Sequence, residues 1–148
     1  MRRVLVQAAD FDPTTELATL SAGAGGVACF IGIMRGEAAG KPLAALRLEH
    51  YPGMTERTLE KLADDALTRW QLTGCTIIHR IGRLLPGQNI VLVATASRHR
   101  AAALAATAYL IDRLKTDAPF WKAEEFTDGR VEWVAARPED TDATSAWS

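Results

Sequence analysis

The sequence lacks several features that would place it in a special class of protein. Its 148 residues include no apolar run close to the roughly 18 residues that a transmembrane helix requires, so no membrane contact is expected. The only two cysteines, Cys29 and Cys75, lie far apart in apolar stretches, which favours free thiols in a reducing cytoplasm. No pair of Cys or His residues has the spacing of metal ligands, so no metal site is expected.

Positive charge and aromatic residues are also scarce for a nucleic-acid-binding protein. The net charge is −1 and aromatic residues make up 7% of the chain, so any basic site must be local and no nucleic acid is expected as a partner. The hydrophobic fraction of 48% is ordinary for a globular domain. We expect a single domain over residues 1–137 and a loose polar tail over 138–148.

Apolar residues at helical spacing predict three helices. The first is capped by Asp12 and begins at Pro13, and the second is an amphipathic helix within residues 53–72. The third runs from Arg98 to Lys115 with Ser97 as its N-cap, and Pro119 prevents its extension.

Shorter apolar segments predict strands that mostly form hairpins. They lie at residues 3–7, 26–34, 43–51, 75–84, 90–97, 120–126 and 130–135. The continuous apolar run at 26–34 predicts a buried strand, and Asp128-Gly129 predicts a tight turn between the last two strands. Hairpins with helices between them indicate an α+β fold with a mostly antiparallel sheet, not a βαβ nucleotide-binding fold.

Three groups of residues could carry chemistry. Basic residues at 98–100 open a helix, which is typical either of an anion site or of a solvated basic turn. Arg35 follows a strand and precedes a glycine, so it could approach a ligand or simply be exposed in a turn. His79 and Arg80 point to opposite faces of a strand, and the pattern favours His79 as a hydrogen-bonded core residue rather than a ligand.

The third group is the segment "LKTDAPFWKAE", which separates two lysines by a rigid, apolar joint. Lys115 suits a helix C-terminus, and Lys122 could pair with Glu124 on the same strand face, so both have adequate structural explanations. However, the proline and the aromatic residues Phe120 and Trp121 would fix the geometry and supply an apolar wall beside the ammonium groups. The segment is therefore a candidate site for proton transfer.

The motifs "FIGIMRG", "LEHYPGMTE", "HRIG", "SRHR" and "DRLKTDAPFWKAE", in this order, resemble the large catalytic subunit of molybdopterin synthase over about residues 25–137. The resemblance implies an α/β hammerhead fold with a small additional β-subdomain. It implies conversion of cyclic pyranopterin monophosphate (precursor Z) to molybdopterin, without a cofactor. The sulfur would come from the C-terminal Gly-Gly thiocarboxylate of a small ubiquitin-like carrier, within a heterotetramer built on a homodimer.

The resemblance also assigns site residues. Lys115 and Lys122 would be catalytic. Together with these lysines, the substrate-binding positions would be Phe30, Ile33, Met34, Arg35, His99, Arg100, Ala123, Glu124 and Arg137. The loop "GEAAGKP" lacks the asparagine that often follows the family's arginine. The last residues are "AWS" and not Gly-Gly, so we do not expect this chain to be the sulfur carrier itself.

Two other functions remain open at this level. The same basic residues could dock a partner in a non-catalytic anion-binding or regulatory module. Alternatively, Phe120 and Trp121 could stack against single-stranded RNA, although the balanced charge argues against this function.

Overall fold

The computed structural model describes residues 1–134, 144, 146 and 147. Three helices and nine strands alternate along them. The helices are α1 (Pro13–Leu20), α2 (Met54–Arg69) and α3 (Arg100–Asp117). The strands are β1 (Arg2–Gln7), β2 (Gly26–Ile33), β3 (Glu37–Ala38), β4 (Lys41–His50), β5 (Gly74–Arg80), β6 (Gly82–Leu84), β7 (Asn89–Ser97), β8 (Phe120–Phe126) and β9 (Val131–Trp133). The predicted α+β class is confirmed.

The first sheet has the strand order β1-β5-β7-β2, and its central strands are buried on both faces. β1 runs parallel to β5, whereas β5 pairs with β7 and β7 with β2 in antiparallel fashion. Successive residues of β5 face opposite sides, so Ile77 packs with α2 and α3 while Ile78 packs towards Leu20 of α1. Two layers of helices thus cover one central sheet.

The second sheet is the smaller β-subdomain, and the long strand β4 organises it. β4 pairs with β3, β6 and β8, and β9 completes the sheet beside β8. The predicted hairpin at 75–97 forms between β5 and β7, but the chain after Arg80 leaves the first sheet as β6, and Leu84 pairs with Leu46. The two sheets are therefore joined directly through β5 and β6.

β2 differs from its prediction as a buried strand. It is the edge of the first sheet, and Val27, Phe30 and Ile33 are 37%, 38% and 55% exposed. A continuous apolar run cannot distinguish a strand covered within its own chain from one whose apolar surface is left free for another molecule.

α3 begins two residues later than predicted. His99 rather than Ser97 is the N-cap residue, and its side chain makes no capping hydrogen bond. The physical reason is that β7 continues through Ser97, which still pairs with Gly26 of β2, so the helix starts only after the chain has left the sheet. The helix ends at Asp117, just before Pro119, as the proline requires.

The expectation of a loose tail is wrong at Trp147. Its indole packs edge-on against Trp70 and Tyr109, with ring centroids 5.9 and 5.7 Å apart. Trp147 Nε1 also donates a 2.6 Å hydrogen bond to the Asp112 carboxylate. An indole that is both packed and hydrogen-bonded adds to the α2–α3 core.

Candidate active site

A cavity of about 970 Å³ lies where α3 ends and the two sheets meet. We call it the lysine cavity because Lys115 and Lys122 both line it. Its other charged lining residues are Arg35, Glu37 and Glu124. Much of the remaining wall is apolar, including Leu43, Leu46, Ile90, Val91, Ile111 and Leu114. The cavity thus combines a few cations with an apolar surface, as small-molecule sites commonly do.

The end of β2 brings Arg35 to the lysine cavity. The register of β2 against β7 shifts between Gly32 and Ile33, and such a bulge redirects the side chains that follow it. Met34 then anchors the chain: its side chain is 3% exposed, and its backbone N–H donates to the Gln88 carbonyl at 2.9 Å. Arg35, although exposed, consequently extends from a backbone that is held in place.

The joint between the lysines places both side chains at one cavity. Lys115 lies in the last turn of α3, and the extended backbone at Ala118 turns the chain into β8. Phe120 and Lys122 share one face of β8, because strand residues alternate. Trp121 faces away and is 48% exposed, so of the two predicted aromatic wall residues only Phe120 lines the cavity.

His79 is the lining residue that sequence reasoning did not assign to the site. The prediction of a hydrogen-bonded core position is confirmed: the side chain is 4% exposed and its Nδ1 lies 2.7 Å from the Arg80 carbonyl oxygen. Nevertheless its ring lines the lysine cavity. The alternation of side chains along β5 could have placed His79 at the site, because Ile77 and His79 share the face that packs against α3. Arg80 instead donates to the carbonyls of Ala8 and Asn89.

Seven of the predicted site residues line the lysine cavity, and the other described ones do not. The seven are Phe30, Ile33, Met34, Arg35, Lys115, Lys122 and Glu124. His99 and Arg100 are exposed at the opposite end of α3, and Ala123 is buried on the other face of β8. Arg137 lies outside the described residues.

Two other properties concern the described residues alone. No group of three or more His, Cys, Asp or Glu side chains there is placed to hold a metal ion. None of the three helices is long and apolar enough to cross a membrane.

Comparisons with known proteins assign this architecture to a family. The sequence matches the MoaE protein family over residues 6–117. The chain belongs to the MoaE family. A relative from Mesorhizobium japonicum, named molybdopterin synthase catalytic subunit, is 48% identical over 148 residues, covering 97% of this chain and 92% of the relative.

Solved structures agree with the MoaE assignment. The molybdopterin biosynthesis MoaE protein from Burkholderia ambifaria is 46% identical, with a TM-score of 0.84 over 99% of this chain and 98% of that one. A protein–protein complex of subunits 1 and 2 of molybdopterin-converting factor from Helicobacter pylori has the same fold. It is 22% identical, with a TM-score of 0.68 over 93% of this chain and 90% of that chain. The predicted hammerhead fold with a β-subdomain is confirmed.

Proposed function

We propose that this MoaE-family chain is the catalytic subunit of a molybdopterin synthase. It converts precursor Z to molybdopterin with sulfur from the thiocarboxylated C-terminal glycine of a small ubiquitin-like carrier. The observation that carries the proposal is the meeting of Arg35, Lys115 and Lys122 in one cavity whose wall also contains apolar side chains. The relative from Mesorhizobium japonicum bears the name of this catalytic subunit, which supports the same function.

The chemistry explains why a chain of net charge −1 concentrates cations in one place. The substrate carries a phosphate and the sulfur donor is an anionic thiocarboxylate, so both require local positive charge. Formation and breakdown of an acyl intermediate also require proton transfers, which a positioned amine can perform. In this scheme Lys115 acts at the acyl carbon as proton donor or transient nucleophile, and Lys122 orients the anionic groups.

The apolar wall of the lysine cavity suits the carrier as well as the substrate. An extended Gly-Gly peptide has no side chains of its own, so it fits a narrow space between packed elements. The two-subunit complex from Helicobacter pylori supports a small-subunit partner for this chain. We place the enzyme in the cytoplasm, and we expect neither nucleic acid nor membrane as a partner.

The substrate site is proposed to be completed by a second copy of the chain. Fifteen positions separate Arg100 from Lys115 on one helix, which at about 1.5 Å per residue is roughly 22 Å. A pterin monophosphate is much shorter than this distance. His99 and Arg100 of one protomer would therefore bind the phosphate beside Arg35 and the lysines of its partner, and a two-fold axis would form both sites at once.

An apolar surface next to the lysine cavity supports this homodimer. β2 contains no charged residue and no proline, although it is an edge strand, and edge strands that stay free are usually protected by such residues. On the neighbouring helix α3, Leu104 is 63% exposed between Arg100 and Lys115. Phe30 of β2 belongs both to this surface and to the cavity wall. One carrier bound to each protomer would then give a heterotetramer.

Reconstitution tests the proposed function. The purified chain is mixed with precursor Z and either the thiocarboxylated carrier or the same carrier ending in an ordinary carboxylate, and molybdopterin is measured. Only the thiocarboxylated carrier should support conversion. Equal conversion with both carriers would contradict sulfur transfer. Binding of the carrier without any conversion would instead indicate a non-catalytic docking module.

A further inference from the structure

Thr144 and Trp147, which we call the Thr–Trp anchor, lie against the ends of α2 and α3, and the proposed chemistry gives them no role. The Trp147 indole packs edge-on against Trp70, the C-cap residue of α2, and against Tyr109 of α3. The Arg69 guanidinium lies 5.7 Å from the centroid of the same indole. The two anchor residues are also joined to each other, because the Trp147 backbone N–H donates to the Thr144 carbonyl at 3.0 Å. The anchor is therefore held in place by several independent contacts.

Both residues of the Thr–Trp anchor bind Asp112 of α3. The Asp112 carboxylate accepts a 2.6 Å hydrogen bond from Trp147 Nε1, and its backbone carbonyl accepts a 2.9 Å hydrogen bond from the Thr144 hydroxyl. A hydrogen bond to a carboxylate is stronger than one between neutral groups. Asp112 lies three residues before Lys115, and residues at this spacing are neighbours on a helix. The anchor thus grips α3 one turn before the lysine.

Thr116 connects the Thr–Trp anchor to the lysine cavity. The hydroxyl oxygens of Thr116 and Thr144 lie 2.8 Å apart. Because Thr144 donates its one hydroxyl proton to the Asp112 carbonyl, Thr116 is the donor in this pair. Thr116 directly follows Lys115, and it lines the lysine cavity. One residue therefore contacts the anchor and also belongs to the cavity wall.

The last turn of α3 is a place where outside contacts matter. The final turn of a helix frays readily, because its carbonyl groups lack partners within the helix. The hydrogen bond that closes this turn, from the Ala118 N–H to the Leu114 carbonyl, is long at 3.4 Å. Lys115 lies in this turn. A contact that prevents fraying there also fixes the backbone from which the Lys115 side chain extends.

We propose that Thr144 and Trp147 are positioning residues for Lys115: by binding Asp112 and Thr116 they fix the last turn of α3, and with it the point from which Lys115 enters the lysine cavity. The inference rests on the proposed function in so far as Lys115 acts in sulfur transfer. The hydrogen bonds of the anchor go to residues on either side of Lys115 in the sequence, which favours a positioning role over a general contribution to stability.

Hydrogen–deuterium exchange tests the placement of the helix end without any sulfur transfer. Thr144→Val replaces the hydroxyl with a methyl group of similar size, whereas Thr144→Ser keeps the hydroxyl. In Thr144→Val the amides of residues 115–118 should exchange about tenfold faster, since two hydrogen bonds to this turn are lost, while the amide of Ala106 should be unaffected. Thr144→Ser should exchange almost as slowly as wild type. Trp147→Phe keeps a packed ring but loses the donor to Asp112, so it should show the same effect as Thr144→Val.

Turnover separates positioning from stability. Small displacements of a catalytic group lower the rate of the chemical step, so Thr144→Val should lower kcat by about tenfold and change the KM for precursor Z by less than about twofold. Thr144→Ser should recover most of the loss. Leu17→Ala is the control, because Leu17 of α1 packs into the core on the other side of the first sheet. It should lower stability and leave kcat unchanged.

Two results would overturn the proposal. One is unchanged exchange of residues 115–118 in both folded variants, Thr144→Val and Trp147→Phe. The other is faster exchange in these variants with the kcat of the wild type. If exchange responds as expected but the wild-type chain makes no molybdopterin, the anchoring of the helix end stands and the proposed function fails.

Discussion

Arg100 and Lys115 occupy opposite ends of one uninterrupted helix, and only Lys115 lines the lysine cavity. Arg100 is the first residue of α3 and Lys115 lies in its last turn, with no glycine or proline between them. A straight helix of this length cannot bring both side chains to one small ligand. If both residues bind substrate, as the resemblance to the catalytic subunit implies, the site must include two chains.

The two lysines should be needed for activity but not for folding. Both side chains are exposed, so Lys115→Ala and Lys122→Ala should leave the free energy of unfolding within about 0.5 kcal/mol of wild type. Each should lower turnover by about tenfold to a thousandfold, the range for removing one positioned acid–base or charge-stabilising group. Lys61→Ala is the matched control, because Lys61 is exposed and pairs only locally with Asp65. Full turnover in both variants would show that the lysines have no catalytic role.

Gly25 should be intolerant of a side chain, whereas its neighbour Gly26 should accept one. A Cβ at Gly25 would collide with the carbonyl oxygen of Arg98, but one at Gly26 would lie 3.6 Å from the Arg100 Cα, an ordinary contact. Gly25→Ala should therefore destabilise the chain by about 1–3 kcal/mol and displace the turn that carries His99. Gly26→Ala should stay within about 0.5 kcal/mol. Urea unfolding measures both, and equal stabilities would contradict the close approach.

A residue just after α2 has a strained backbone conformation, and a substitution can relieve this strain. Gln71 has a φ of 50°, and the next amide, Leu72 N–H, donates to the Leu67 carbonyl at 3.1 Å, as in a Schellman motif. Glycine adopts this conformation without steric cost, so Gln71→Gly should stabilise the chain by about 1 kcal/mol. Gln71→Ala keeps the strain and should give no gain. A loss of stability in the glycine variant would show that the Gln71 side chain compensates for the strain.

Stability should fall in mild acid because of His79. Its folded pKa of about 4 lies below the usual value of 6.5, so the unfolded state binds the proton more tightly. Stability from this group is fully present above about pH 6.5 and is lost as the pH falls towards 4. Between pH 7 and 5 the loss should be about 2 kcal/mol. His79→Phe should lose correspondingly less over the same interval in urea unfolding, and an identical loss would contradict the burial of a neutral imidazole.

Local patterns were sufficient for individual helices and their caps. The apolar spacing of α2 and the Asp12 cap of α1, which accepts from Thr14 N–H at 3.1 Å, could both be predicted. The pairing of Leu46 with Leu84 could not, because it joins strands far apart in sequence and has no local signal. The exposure of β2 was missed for a related reason: an apolar run indicates that a surface avoids water, but not which molecule covers it.

The candidate site was only partly predictable, again for physical reasons. Lys115 and Lys122 flank a proline-containing joint, which is a visible local signal for a fixed geometry. The cavity wall formed by Leu43 and Ile90 depends on how the two sheets meet, which no local pattern encodes. His79 was predicted to be a core residue and was not assigned to the site, because a buried, hydrogen-bonded histidine on a strand is most often structural.

Subunit complementation tests most directly the central claim that the lysine cavity is completed by a second chain. Arg100→Ala and Lys115→Ala proteins, each strongly impaired alone, are mixed and allowed to exchange subunits, and turnover with thiocarboxylated carrier and precursor Z is measured. Random exchange makes about half of the dimers mixed, each with one intact site, so activity should recover to roughly a quarter of wild type. No recovery despite demonstrated exchange, or full activity in a strictly monomeric chain, would contradict the composite site.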